Sequence, residues 1–172
     1  MKRFITYALL IIFCFILQST VFRGLSFAGI VPNLLLVVTA SLGFMRGDKT
    51  GLLAGFFCGL LVDIFFGDVI GLYAMIYMYI GYLNGKFSGI FYPENIKLPL
   101  ILISFSNLLY GTFTYLLLFM MRGRFKFDFY FWNVIFPEVL YTILVALVLY
   151  PLILYLHYLL EGRKLKKAEE NV

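Results

Sequence analysis

Long apolar runs without charged side chains occupy most of this chain. No charge interrupts residues 4–22, 24–45, 50–62, 69–85 or 98–121, and residues 139–160 contain only His157 as a titratable cation. A helix needs about 20 apolar residues to cross a bilayer, and the third run approaches that length when Asp63 is counted inside it. We therefore predict an all-α, polytopic membrane protein with one domain over residues 1–160. Its six transmembrane helices are expected at about 4–22, 31–46, 50–66, 69–85, 98–121 and 134–160, followed by a basic tail at 161–172.

The composition excludes an ordinary soluble domain. Hydrophobic residues make up 63% of the chain and charged residues 13%, whereas soluble domains are about 45–50% apolar and about 25% charged. The formal charge of +5 is then a consequence of membrane topology, and nucleic-acid binding is not expected.

The distribution of Lys and Arg predicts the orientation. With the N-terminus inside, ten cations fall in inner segments and four in outer segments, out of 14 in the chain. Cytoplasmic loops carry the excess of cations, so both termini are expected in the cytoplasm of a multi-pass protein of the bacterial inner membrane. The first apolar run is longer than the apolar core of a signal peptide and lacks a small-residue cleavage pattern, so we expect it to be retained. The basic tail would lie against anionic lipid headgroups.

A glycine ladder in the third run ends in an acid. Gly51, Gly55 and Gly59 recur every four residues, which places them on one helix face and allows another helix to approach closely. That contact could be internal, or it could join two copies of the chain as a homodimer. Asp63 continues the same face, and an ionisable group inside an apolar span is costly.

Three polar residues are predicted in the outer half of the membrane, namely Asn33, Asp63 and Glu138. One hypothesis is that Asp63 locks the bundle by accepting hydrogen bonds from Asn33, a tyrosine or backbone donors. A second places the acid in a partner contact or a polar cavity. A third, proton or ion relay, would need further acids or histidines along the path, and the inner half offers only His157.

The predicted outer loop between the fifth and sixth spans is dense in aromatic and basic residues. This loop reads Arg-Gly-Arg-Phe-Lys-Phe-Asp-Phe-Tyr-Phe-Trp-Asn over residues 122–133. It is typical of an aromatic belt at the membrane interface, but the alternation could also form a short edge strand. Aromatic and Arg side chains are also common interface anchors. The candidate partner-binding residues are Arg122, Arg124, Phe125, Phe127, Phe129, Tyr130 and Trp132.

Nothing in the sequence indicates catalysis, a metal site or a cofactor. A single histidine weakens Ser-His and Cys-His chemistry, and no hydrolase, zinc or phosphate-loop motif is present. Cys14 and Cys58 lie within predicted spans as small apolar residues. We expect a non-enzymatic protein.

The motif residues resemble the rod shape-determining protein MreD family. The matching segments, which form the specific part of a resemblance that covers essentially the whole chain, are Pro32-Asn33-Leu34-Leu35-Leu36, Arg46-Gly47, Gly51-x3-Gly55-Phe56-x2-Gly59-Leu60-Leu61-x-Asp63, Gly67, Gly71-Leu72 and Gly81-Tyr82. The resemblance implies a component of the bacterial elongation machinery, which regulates cell shape and peptidoglycan synthesis. It would scaffold the single-span protein MreC and, indirectly, MreB filaments and RodA with its penicillin-binding transpeptidase.

The resemblance also implies a bundle similar to the substrate-binding subunit of energy-coupling-factor transporters. That similarity supplies an alternative function, a substrate-binding membrane subunit of a vitamin-type transporter. Fold likeness alone does not decide between the two functions. A transporter subunit should enclose a polar cavity with affinity for a solute, whereas a scaffold should co-purify with a single-span partner.

Overall fold

Six helices form the described part of the chain. The computed structural model describes residues 2–26, 29–67, 69–90, 96–120 and 127–169. Helix α1 is Lys2–Ile16, continued by the π-helical turn Leu17–Val21 and by Phe22–Gly24; α2 is Leu34–Arg46 and α3 is Asp48–Phe66. Helix α4 is Leu72–Lys86, followed by the 3-10 turn Phe87–Ile90, and α5 is Lys97–Thr114, continued by the π-helical segment Tyr115–Met120. Helix α6 begins with Phe127–Tyr130, passes through the π-helical segment Phe131–Ile135 and continues as Phe136–Glu169. The predicted all-α class is confirmed.

Four of these helices are long and apolar enough to cross a membrane. They are Phe4–Gly24, Asp48–Phe66, Lys97–Leu117 and Phe127–Leu160. Helices α2 and α4 have 13 and 15 residues, which correspond to about 20 and 23 Å, less than the ~30 Å hydrocarbon thickness. The chain is therefore a membrane protein with four helices of spanning length, and crossing by α2 and α4 stays a prediction.

Helix α2 occupies the centre of the bundle. Every residue from Leu34 to Met45 is buried, and α2 packs against α1, α3, α4, α5 and α6. A helix that is apolar on all sides belongs in a core. It begins three residues later than the predicted span 31–46, because Asn33 caps its first turn.

The bundle presents apolar side chains outward. Phe4, Leu9 and Phe13 of α1 and Leu144 and Val148 of α6 are exposed. In water such a surface would be a large aggregation-prone patch, and in a membrane it faces lipid.

The aromatic segment after the fifth span is helical where the structure describes it. Phe127–Tyr130 form a helical turn, so the edge-strand alternative is wrong for these residues. Arg122, Arg124 and Phe125 lie outside the described residues. The backbone of α6 continues to Glu169, into the predicted tail.

Candidate functional site

The glycine ladder of α3 faces α4. A Cβ added to Gly51 would lie 2.8 Å from the Gly81 carbonyl carbon, and one on Gly55 would lie 2.6 Å from that of Tyr77. On Gly59 it would lie 2.5 Å from the Ala74 Cα. These distances are shorter than any ordinary contact between carbon atoms. No side chain larger than the hydrogen atom of glycine therefore fits at these three positions. The face that the sequence left open to an internal or an intersubunit contact is therefore occupied by this chain's own α4.

Asp63 links the C-terminal end of α3 to the N-terminal end of α4. Its carboxylate accepts hydrogen bonds from the backbone N–H groups of Tyr73, at 2.9 Å, and Ala74, at 2.8 Å. These two donors lie in the first turn of α4, where a helix has no partners of its own for its N–H groups. A negative charge at a helix N-terminus is also favourable. Asp63 is 1% exposed, and it acts as the cap of α4 supplied from α3.

Asn33 organises a second polar cluster, at the start of α2. Its side-chain oxygen accepts a hydrogen bond from the Leu36 N–H at 3.1 Å and another from the Tyr77 hydroxyl at 2.6 Å. The Asn33 N–H donates to the Thr142 hydroxyl at 3.0 Å. Asn33 is the N-cap of α2, a role for which Asn is among the preferred residues. One residue therefore ties α2 to α4 and α6.

Two further side chains complete this cluster. The Leu35 N–H donates to the Gln18 side-chain oxygen from α1 at 3.1 Å. The partly buried Glu138 carboxyl of α6 lies beside the Asn33 side chain. Because the first turn of α2 is buried in an apolar surrounding, each satisfied N–H group avoids a substantial desolvation cost. We call Gln18, Asn33, Tyr77, Glu138 and Thr142 the α2 cap cluster.

The structure divides the predicted polar anchor into two sites. Asn33 and Glu138 meet in the α2 cap cluster, whereas the hydrogen bonds that the structure gives Asp63 go to the backbone of α4. Gln18, Tyr77 and Thr142 were not predicted as site residues. Gln18 gave a signal as a polar residue inside an apolar run, but Tyr77 is one of several tyrosines in its span and Thr142 had no distinguishing pattern.

The hydrogen bond from the Tyr77 hydroxyl to Asn33 should make a measurable contribution to the stability of the protein. We expect Tyr77→Phe to lower the free energy of unfolding by about 1 kcal/mol, the usual value of one intramolecular hydrogen bond. Denaturing-detergent titration of the purified protein would measure it. Tyr79→Phe is the matched control, because Tyr79 lies on the same helix with an exposed side chain. Equal effects of the two substitutions would contradict the assignment.

The aromatic segment Phe127–Trp132 is held on one side and open on the other. The rings of Phe127 and Tyr130 lie 5.1 and 5.2 Å from that of Tyr115 at the end of α5. Phe129 and Trp132 are 67% and 62% exposed. The segment thus has a packed face on the bundle and an outward face that carries two large aromatic side chains.

Comparison with known proteins identifies the family. A family model described as rod shape-determining protein MreD matches residues 1–159. No curated protein and no solved structure matches the chain. The match confirms the resemblance over nearly the whole sequence, and the chain belongs to the MreD family.

Proposed function

We propose that this member of the MreD family is a non-enzymatic scaffold of the bacterial elongation machinery. It would cross the inner membrane six times, with both termini in the cytoplasm, and hold an MreC-like single-span protein together with the peptidoglycan synthase. The family match over residues 1–159 supports a role in rod-shape determination. The four helices of spanning length support residence in a membrane.

The binding surface in this proposal is the outward face of the aromatic segment. The exposure of Phe129 and Trp132 beside the anchored Phe127 and Tyr130 is the observation that carries it. Large aromatic side chains dominate the energetics of many protein interfaces. Side chains held on a packed support lose little conformational freedom when a partner binds.

The α2 cap cluster holds in place the helix that carries this surface. Glu138 and Thr142 lie within about three turns of the aromatic segment along α6, and both lie against Asn33 at the start of α2. These contacts fix the start of α6 relative to α2. A binding surface on a rigid element is better preorganised than one on a free loop.

Substitution of the exposed aromatic pair tests the surface. We expect Phe129→Ala combined with Trp132→Ala to reduce recovery of the single-span partner in co-purification by about 30-fold, which corresponds to a loss of about 2 kcal/mol at an interface anchor. Protein yield and monodispersity should stay unchanged, because both side chains are exposed.

Phe105→Ala is the matched control for this experiment. Phe105 is a similarly exposed aromatic residue, but it lies on α5 away from the segment. If Phe105→Ala lowered partner recovery as much as the pair, or if the pair had no effect, the aromatic residues would serve the membrane interface and not a partner.

A further inference from the structure

An apolar groove of about 610 Å³ lies between α1, α2 and α3. Helix α1 packs on α2 and meets α3 through two pairs of aromatic rings. Phe4 lies 6.4 Å from Phe57, and Phe15 lies 4.9 Å from Phe65, between ring centroids. The small side chain of Ala8 contributes to the lining between these contacts. The walls of the groove are thus formed by side chains of α1, α2 and α3.

The dimensions of the groove suit a hydrocarbon chain. Its lining follows α3 from Thr50 to Ile64, a distance of about 21 Å at the helical rise. One leaflet contributes about 15 Å of hydrocarbon, so a groove of this length is long enough for one acyl chain. The lining on α3 also includes the apolar side chains of Leu53, Ala54 and Leu61.

A cation lies in the lining at one end of the groove. The Arg46 guanidinium donates a hydrogen bond to the Tyr7 hydroxyl at 3.2 Å and lies 5.5 Å from the centre of the Tyr7 ring. Among the side chains that the structure describes, no carboxylate lies within salt-bridge distance of Arg46. Lys86, by contrast, pairs with Asp48 at 3.5 Å. Arg46 therefore retains N–H donors for an anion, since guanidinium has five.

We propose that this groove binds one anionic phospholipid, with an acyl chain along Ala8 and Ala54 and the headgroup phosphate on Arg46. The planar guanidinium matches a phosphate through two parallel hydrogen bonds. The charge distribution of the chain puts the Arg46 end in the cytoplasmic leaflet, whose surface is rich in anionic lipids. An apolar channel that ends at a cation with no carboxylate partner among the described side chains fits a lipid better than an uncharged helix.

Lipid retention by the full chain tests the headgroup contact. The protein would be reconstituted in bilayers with equal amounts of phosphatidylglycerol and phosphatidylcholine, and its retained lipids identified by native mass spectrometry. We expect one retained phosphatidylglycerol, and Arg46→Gln should lower the ratio of retained phosphatidylglycerol to phosphatidylcholine about fivefold. Lys86→Gln, which removes a cation outside the groove, should leave the ratio unchanged. No preference in the unaltered protein, or equal effects of the two variants, would overturn the proposal.

A filled groove tests the acyl-chain contact. Ala8→Trp should abolish retention of the lipid, whereas Leu9→Trp should not, because Leu9 lies on the same helix with its side chain exposed outside the groove. Retention by Ala8→Trp would overturn the proposal. A photoreactive residue at position 61, which lines the groove and is partly buried, should cross-link to lipid in native membranes. Cross-linking to a protein helix in its place would overturn the proposal independently of whether Ala8→Trp folds.

Discussion

Replacing Gly55 by leucine is expected to prevent assembly of the bundle. Even a Cβ at this position would lie 2.6 Å from the Tyr77 carbonyl carbon, which belongs to the backbone of α4 and cannot move aside as a side-chain tip would. Overpacking in cores costs about 1–3 kcal/mol when side chains can adjust. With backbone as the obstacle, we expect a loss above about 3 kcal/mol for Gly55→Leu and a smaller loss, still clearly measurable, for Gly55→Ala.

The yield of monodisperse protein and its unfolding in denaturing detergent would measure this effect. Gly24→Leu is the matched control, because a Cβ at Gly24 would meet nothing within 4 Å. If Gly55→Leu gave the same yield and stability as Gly24→Leu, α3 and α4 would not be packed through the ladder as the structure has them.

Asp63→Ala is expected to produce the second large effect. The substitution leaves the N–H groups of Tyr73 and Ala74 without their acceptor in a buried position, and each unsatisfied donor costs about 1–3 kcal/mol. We therefore expect a total loss of about 2–6 kcal/mol on the same basis. Asp63→Asn should fall between Asp63→Ala and the unaltered protein, because an amide retains one acceptor oxygen and loses the charge.

Hydrogen exchange would localise the effect of Asp63→Ala to the start of α4. The amides of Tyr73 and Ala74 should exchange faster, while those in the middle of α2 should change only as far as global stability falls. Asp48→Ala is the matched control, since Asp48 is a partly exposed acid whose ion pair with Lys86 should contribute little. Unchanged exchange at Tyr73 and Ala74 would contradict the capping role.

The features predicted well from the sequence depend on residues close together in the chain. The ladder of Gly51, Gly55 and Gly59 follows from a spacing of four, which places the three residues on one helix face. Backbone donors were among the partners proposed for Asp63, which continues the same helix face. In each case the helical period places the residues before any tertiary contact is considered.

The α2 cap cluster could not be predicted because its members are distant in sequence. Asn33 bonds Tyr77 and Thr142 across 44 and 109 positions, and hydropathy does not say which residues on different helices meet. The shortness of α2 was missed for a related reason. An apolar run shows where lipid or core is tolerated, but it does not distinguish the extended residues before Leu34 from the helix that follows.

The central claim, a scaffold that holds a single-span partner, is tested most directly by purification from the native membrane. The tagged chain, expressed at its natural level, would be extracted in mild detergent and the proteins that accompany it quantified by mass spectrometry. The account predicts an MreC-like protein in near-equal amount together with components of the peptidoglycan synthase. Recovery of an ATPase pair with a coupling membrane subunit would contradict it and favour solute uptake.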